Sequence, residues 1–231
     1  APLYTVAQAQ ECLKQFDDVA YGVEFKPHDD VRVRFQDAGH ILGSASIEVW
    51  LTENSVTKKI VFSGDLGQPG RLIVRDPTPI KEADVLLVES TYGNRLHKTI
   101  DDTKAELLKA IDDTFNRKKG NVIVPAFALG RTQELIFMLL QLTIEGKLKN
   151  INVFIDSPLG SKATKITLDN LESLDDETRK LVHEMRSGKH PIHIRFTETV
   201  EDSMALNEIH SGAIIIAGSG MCDAGRIKHH L

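Results

Sequence analysis

The chain has few of the residues that mark several classes of protein. Its two cysteines, Cys12 and Cys222, lie far apart in sequence, which favours buried free thiols in a reducing compartment such as the cytoplasm over a disulfide scaffold. Aromatic residues make up 6% of the chain, which argues against an extended base-stacking platform. No apolar run approaches the ~18 residues of a membrane span. With a net charge of −5 the chain has no overall basic field to attract nucleic acid, but this does not exclude a local basic groove.

Apolar alternation in the first part of the chain predicts an antiparallel sheet. Thr5 and Gln8 have the spacing of a capping box before a short helix. Three runs then alternate apolar and polar residues, with a hairpin turn at 53–55, and a fourth run is apolar throughout and is typical of a strand buried on both faces. The predicted strands are 31–35, 47–51, 59–62 and 83–88.

From about Thr99 the pattern changes to alternating helices and strands, which predicts a parallel, doubly wound sheet. The first predicted helix ends at Gly120, and the last residues of the chain are typical of the first turns of another helix. The predicted helices are 100–115, 131–142, 162–170, 176–186 and 202–209, and the predicted strands are 121–127, 151–155, 193–196 and 213–217.

Three candidate functional residues lie at strand ends: His40, Asp65 and Glu89. Imidazole and carboxylate are ligands that suit zinc and manganese. The 25-residue separation of His40 and Asp65 fits a strand–turn–strand unit that returns to the same sheet edge. The residues alone leave alternatives open. Asp65 follows Ser-Gly and is also a typical turn former, His40 lies between glycines in a loop, and Glu89 could cap a neighbouring turn.

Five stretches resemble a known family. AGHILGSAS and FSGDLG are similar to metal-binding motifs of the metallo-β-lactamase superfamily, and VESTYGNR, VIVPAFALGR and IAGSGMCDAGRIKHHL narrow the resemblance to the β-CASP nucleases. That family processes RNA and DNA and includes RNase J and the endonuclease of mRNA cleavage and polyadenylation. The resemblance implies part of a metallo-β-lactamase αββα sandwich over residues 1–92. A Rossmann-like parallel α/β β-CASP domain, incomplete at its C-terminus, then covers residues 93–231.

The resemblance also implies roles for the three candidate residues. His40 matches a histidine that binds one metal of a two-zinc pair, and Asp65 matches the carboxylate that bridges both metals. Glu89 matches an acid that orients catalytic groups beside the metals. Two bridged ions about 3.5–4 Å apart can stabilise both the attacking and the leaving oxygen of phosphodiester hydrolysis.

The chain departs from the family where most of the metal ligands should be. The motif His-x-His-x-Asp-His is absent, since no two of the nine histidines are separated by one residue, and the late β-CASP histidines have no match. We therefore expect an internal piece of a longer protein, with at most partial zinc occupancy and no nuclease activity by itself.

Three Gly- or Ser-containing loops after predicted parallel strands are candidates for binding a phosphate, because ligands bind at this edge of such sheets. Tight packing is the alternative for each loop, and Arg95 is equally typical of a solvated loop charge. The candidate substrate-binding residues are Ser219, Gly220, Met221, Arg226, Arg131 and Arg95.

The expected function is metal-dependent hydrolysis of single-stranded RNA, endonucleolytic or from the 5′ end, with no membrane partner. One alternative is a catalytically silent RNA-binding or scaffolding subunit, which the presence of His40, Asp65 and Glu89 argues against. Another is a hydrolase of small esters or lactams, which the β-CASP half argues against. Unpaired strand edges make a homodimer a further possibility.

Overall fold

The computed structural model describes residues 2–188 and 192–231. Its first half is one five-stranded sheet, preceded by helix α1 (Val6–Cys12), whose start is fixed by the predicted capping box between Thr5 and Gln8. The strands occur in chain order, with β1 to β4 antiparallel and β5 parallel to β4. They are β1 (Glu24–His28), β2 (Val31–Asp37), β3 (Ala45–Glu53), β4 (Val56–Phe62) and β5 (Val85–Leu87). Between β3 and β4, Asn54 and Ser55 have positive φ angles of 47° and 63°, as a tight two-residue hairpin requires.

A buried ion network joins the three central strands of this sheet. The Glu48 side chain on β3 is 2% exposed; its carboxylate accepts hydrogen bonds from Arg34 Nε at 2.6 Å and Gln36 Nε2 at 2.9 Å, and Lys59 Nζ lies 2.7 Å away. Burial raises the pKa of Glu48, but the hydrogen bonds from Arg34, Lys59 and Gln36 outweigh it and lower the pKa to about 2. Glu48 is therefore ionised at neutral pH and ties β2, β3 and β4 together.

The prediction of a strand buried on both faces at 83–88 is wrong. Residues Val85 to Val88 are between 49% and 59% exposed. The reason is that β5 is an edge strand, paired only with β4 in the part of the chain that the structure describes. An apolar run signals a strand, but burial needs a layer of packed side chains over it.

The second half is a four-stranded, fully parallel sheet in the order β6-β9-β7-β8, as the alternating pattern predicted. Helix α2 ends in a π-helical turn (Asp113–Lys118), and the left-handed residue that closes it is Lys119, φ 57°, rather than Gly120. The strands are β6 (Val122–Pro125), β7 (Ile151–Asp156), β8 (Ile192–Phe196) and β9 (Ala213–Ala217). The helices are α2 (Ile100–Asp112), α3 (Arg131–Ile144), α4 (Pro158–Asp169), α5 (Asp176–Arg186) and α6 (Val200–Ala205).

Apolar side chains cover both faces of this parallel sheet. On one face Val153 and Ile214 belong to a large cluster with residues of α3, among them Phe137 and Leu140. On the other face Phe154 and its neighbours form a smaller cluster beneath the 206–209 turn. Alternate residues of β7 and β9 thus point to opposite layers, which confirms the predicted doubly wound arrangement.

A segment between β4 and β5 packs into the core of the second half. Leu72, Ile73 and Val74 are all buried there, Ile73 N donates to Thr178 Oγ1 at 2.7 Å, and Val74 forms an isolated bridge with Leu174. The sheets are therefore joined by apolar contacts as well as by the chain, although this segment lies within the first predicted domain.

Two further predictions, that of buried cysteines and that of a C-terminal helix, are corrected. Cys12 is exposed, because α1 buries none of its residues, and Cys222 is half-buried. The last residues form a 3-10 turn (Arg226–His229) instead of an α-helix. No helix in the described residues is long and apolar enough to cross a membrane.

Candidate metal and RNA site

His40 lies on a tight loop after β2. Gly39 has φ 61°, a conformation that glycine adopts without strain, and the Ser44 hydroxyl accepts hydrogen bonds from the backbone N–H groups of His40 and Ile41 at 3.1 and 3.2 Å. The loop is therefore shaped by its own residues. It leaves the imidazole 39% exposed, open to a ligand.

Asp65 lies on the loop after β4, which touches the His40 loop directly. Gly67 N donates to Ala38 O at 2.8 Å, and a Cβ added at Gly67 would lie 1.6 Å from Gly39 O, so no larger residue fits there. This close contact holds His40 Nε2 and Asp65 Oδ2 4.0 Å apart, with Asp65 79% exposed. The two residues converge at one sheet edge, as their spacing predicted.

Glu89 follows β5 and fixes the loop beyond Asp65. Its Oε1 accepts from Leu66 N at 3.0 Å and its Oε2 from Thr91 N at 3.2 Å, while its own N–H donates to Ser63 Oγ at 3.0 Å. The N–H of Leu66 and then the hydroxyl and N–H of Thr91 lower the pKa of Glu89 below its usual value. The carboxylate is thus ionised and binds the backbone next to Asp65.

The two candidate ligands are of the chemical types that bind zinc, but they are too few to form a zinc site. His40 and Asp65 supply one imidazole and one carboxylate, whereas a protein zinc site takes three or four protein ligands. In residues 2–188 and 192–231 no three His, Cys, Asp or Glu side chains are grouped closely enough to hold a metal. The described residues therefore do not complete a metal site.

Arginines from both halves of the chain line the same cleft of about 440 Å³ as His40, Asp65 and Glu89. Arg71 Nη1 and Arg131 Nη1 lie 3.4 and 2.7 Å from the two oxygens of Glu134, so two guanidinium groups share one carboxylate. The trio keeps a net positive charge, and Arg131 is 54% exposed. Arg71 is a residue that the sequence reasoning missed, because it lies in an irregular loop that carries no motif.

The aromatic rim of the cleft carries the predicted Arg95. Its guanidinium carbon lies 4.6 Å from the centre of the Tyr92 ring, and His97 meets the same ring edge-on with centroids 4.3 Å apart. Tyr92 and His97 line the cleft. Arg95 is thus held beside the site by a cation–π contact.

The loop after β9 does not have the geometry of a phosphate cradle. Three of its N–H groups are used internally: Ser219 N donates to Ala224 O, Met221 N to Ser219 Oγ and Cys222 N to Ser219 O. The Gly220 backbone packs against the Phe127 ring, and only a 3-10 turn follows. The alternative of a tightly packed turn describes the backbone of Ser219 and Gly220 better, since a cradle needs free, converging N–H groups. Met221 also has its N–H bonded within the loop, but its side chain is exposed.

Arg226 faces the interior and serves a buried carboxylate instead of a phosphate. Asp156, fully buried at the end of β7, accepts from Arg226 Nη1 at 2.7 Å and Ser203 Oγ at 2.6 Å, also from Thr197 Oγ1, and contacts His230 Nε2 at 2.8 Å. Burial raises the pKa of Asp156, but these hydrogen bonds, led by that of Ser203, lower it overall. We call these five residues the Asp156 cluster. Its members come from three separate stretches of the chain, so no local sequence pattern indicates the cluster.

Comparison with known proteins finds a domain-family match and relatives that are named as ribonucleases. Residues 132–231 match the Beta-Casp domain family. The chain is 29% identical over 230 residues to Ribonuclease TTHA0252 of Thermus thermophilus, covering 100% of this chain and 52% of that protein. An RNase J-like protein of Methanocaldococcus jannaschii is 29% identical over 99% of this chain and 52% of its own length. Endoribonuclease ysh1 of Schizosaccharomyces pombe is 30% identical over 88% of this chain and 25% of its own length.

The chain spans about half the length of the first two of these relatives. The named relatives and the matched domain agree with the five motifs and with an antiparallel sheet followed by a parallel one. The chain therefore belongs to the β-CASP family of the metallo-β-lactamase superfamily.

Proposed function

We propose that this chain forms part of a metal-dependent ribonuclease that hydrolyses phosphodiester bonds of single-stranded RNA. The observation that carries the proposal is one cleft holding His40, Asp65 and Glu89 from the first half and Arg131 from the second. The relatives named as ribonucleases support RNA as the substrate class.

The charges in the cleft divide the work among its residues. Asp65 and Glu89 are carboxylates and repel a phosphodiester, so the substrate approaches only when cations compensate them. Arg131, exposed and only partly neutralised by Glu134, lines the same cleft and attracts the RNA backbone. Glu89 acts as a positioning residue, since its hydrogen bond to Leu66 N fixes the backbone beside Asp65.

His40 and Asp65 are the residues of this chain that would ligate a divalent ion. Such ions stabilise the negative charge that develops on a phosphodiester during hydrolysis. We infer that further ligands come from outside the described cleft, because a dinuclear centre needs more than one imidazole and one carboxylate. The chain by itself is then expected to bind zinc weakly and to leave RNA intact.

The first test measures zinc binding to the 231-residue chain by isothermal titration calorimetry. His40→Ala and Asp65→Ala are expected to lower zinc affinity by about tenfold or more, because each removes one of two ligands. His210→Ala, which removes an exposed histidine elsewhere, is the matched control and should bind zinc as the unchanged chain does. Equal affinity for all four proteins would refute the assignment of the metal site.

The second test measures RNA binding and cleavage. Fluorescence anisotropy should give tighter binding of a labelled single-stranded RNA than of the same sequence as a duplex, and Arg131→Ala should weaken binding and reduce its salt dependence. Absence of RNA binding would overturn the proposed substrate. Full metal-dependent cleavage by the chain after chelation and zinc reloading would overturn the inference that two ligands are too few.

The silent RNA-binding subunit is the second candidate, favoured by the incomplete ligand set among the described residues. The two candidates differ in what the missing ligands do. If a longer protein that contains this chain binds RNA but does not cleave it at saturating zinc, the scaffold role is correct. Cleavage that is lost on Asp65→Asn supports the nuclease.

A further inference from the structure

Exposed apolar side chains collect at the carboxyl edge of the second sheet, on two loops and on the first turn of α4. Phe127 and Leu129 follow β6, Leu159 follows β7 and Met221 follows β9, and they are 58%, 51%, 65% and 71% exposed. Each apolar group left in water costs free energy in proportion to its exposed area. Four of them at one edge, contributed by two loops and the first turn of α4, mark a candidate binding surface.

Three of these side chains line a cavity that also includes His40, one of the two residues proposed to ligate a metal. Phe127, Leu129 and Leu159 share a space of about 540 Å³ with His40 and Arg131, inside the range of about 300–1,000 Å³ usual for ligand pockets. The loop that carries Phe127 sits on the loop that carries His40, because a Cβ added at Gly130 would lie 3.0 Å from Ile41 Cγ2. The apolar cavity is therefore an extension of the cleft described above.

Phe127 is held in place while most of its surface stays free. Thr132 Oγ1 and Thr132 N donate to Phe127 O at 2.7 and 3.2 Å, which fixes the backbone. The Cδ2–Cε2 edge of the ring packs on Gly220, where an added Cβ would lie 2.9 Å away. A ring that is fixed along one edge and more than half exposed is preorganised to receive a flat partner.

We propose that Phe127 stacks on a nucleobase of single-stranded RNA whose adjoining phosphate lies at Arg131. This inference rests on the proposed function and adds a base-binding subsite to it. The cavity combines an aromatic ring and aliphatic walls with Arg131 and Arg71 at its border, which matches a base attached to an anionic backbone. Every base presents a π face, so the subsite holds RNA without selecting a sequence.

The charge at the border argues for this occupant over an apolar peptide. Arg71 and Arg131 are tied to a single carboxylate, Glu134, and retain a net positive charge beside the ring. An apolar peptide would have to desolvate these groups without compensating them, whereas a nucleotide supplies the matching anion. A peptide occupant would appear in the test below as RNA binding that does not depend on Phe127.

The experiment is a double-mutant cycle between Phe127 and one base. Binding of a short labelled single-stranded RNA is compared with binding of the same RNA carrying one abasic residue, scanned along its length. For the unchanged chain, one abasic position should weaken binding by about 5- to 150-fold, the range that one stacked base contributes. Phe127→Leu and Phe127→Ala should weaken binding of the intact RNA to a similar extent and lose most of the sensitivity to that abasic position.

The matched control is Phe196→Ala, which removes a ring that is 43% exposed on β8 and lies outside the cavity lining. It should retain both the affinity and the abasic sensitivity. Phe127→Trp keeps a flat ring and should retain most of the affinity. Circular dichroism and thermal unfolding of Phe127→Leu check that the variant is folded.

The outcomes separate this inference from the proposed function. If the unchanged chain binds RNA and the Phe127 variants bind intact and abasic RNA as it does, the stacking subsite is wrong and the ribonuclease proposal stands. If the unchanged chain binds no RNA, both are wrong. A Phe127→Ala effect that is equal for intact and abasic RNA at every position would mean that the ring only supports the fold, which also overturns the subsite.

Discussion

Replacing Asp156 by Asn tests whether the Asp156 cluster holds the second half of the chain together. The carboxylate is fully buried and accepts hydrogen bonds from two hydroxyls and from Arg226, besides its contact with His230. An asparagine amide keeps the shape of the carboxylate but offers a single acceptor oxygen. Its NH2 group would face neighbours that are themselves hydrogen-bond donors. It also leaves the Arg226 guanidinium without its counter-charge.

The expected cost follows from the geometry. Removing one partner of a buried ion pair destabilises a protein by about 3–5 kcal/mol. Arg226 is 21% exposed and regains part of its hydration, so the lower end, about 3 kcal/mol, applies. For a chain of this size each kcal/mol lowers the melting temperature by about 2–4 °C, so Asp156→Asn should melt about 6–12 °C below the unchanged chain.

The assay is thermal and urea unfolding followed by circular dichroism at 222 nm. This signal reports mainly on the second half, which holds α2 to α6, while the single tryptophan, Trp50, reports on the first sheet. Asp101→Asn, the same chemical change at an exposed carboxylate, is the control and should shift melting by no more than about 3 °C. Equal melting temperatures for Asp156→Asn and the unchanged chain would refute the reasoning.

Three further predictions come from the first sheet. Because the pKa of Glu48 is lowered to about 2 in the folded state, its stabilising effect is present above its unfolded pKa and disappears as pH falls from about 4.5 to about 2. Urea unfolding of Glu48→Gln at several pH values should therefore show a smaller loss of stability over that window, and an unchanged slope would contradict the network. Gly67→Ala should destabilise the chain by about 1–3 kcal/mol and weaken zinc binding, because the added methyl group collides with Gly39 O. If calorimetry shows unchanged zinc affinity, the contact between the two loops does not set the geometry of the metal site. Leu86→Lys should reduce self-association in sedimentation velocity by placing a charge on the exposed β5 edge, and concentration dependence equal to that of the unchanged chain would exclude this edge as the contact.

Local patterns predicted most elements, since their signals lie within a few residues. The capping box at Thr5, the hairpin at Asn54–Ser55 and the parallel strand Ala213–Ala217 all appear where the pattern placed them. Two elements were predicted wrongly: strand β1 (Glu24–His28) was missed, and the last residues form a 3-10 turn instead of an α-helix. The other failures concern the environment of a residue. The run at Val85 forms a strand but is exposed, and Arg226 turns inward because buried Asp156 lies within its reach.

The sequence by itself determined the family, the two kinds of sheet and the convergence of His40 with Asp65, because motif order, periodicity and spacing are properties of short stretches. Only the tertiary structure decided that Arg71 and Arg131 face these residues, that Phe127 opens onto the same cleft, and that the 72–74 segment is buried in the second core. The physical reason is that charge pairing, stacking and burial are made between residues far apart along the chain, and their partners exist only once the two sheets have packed together.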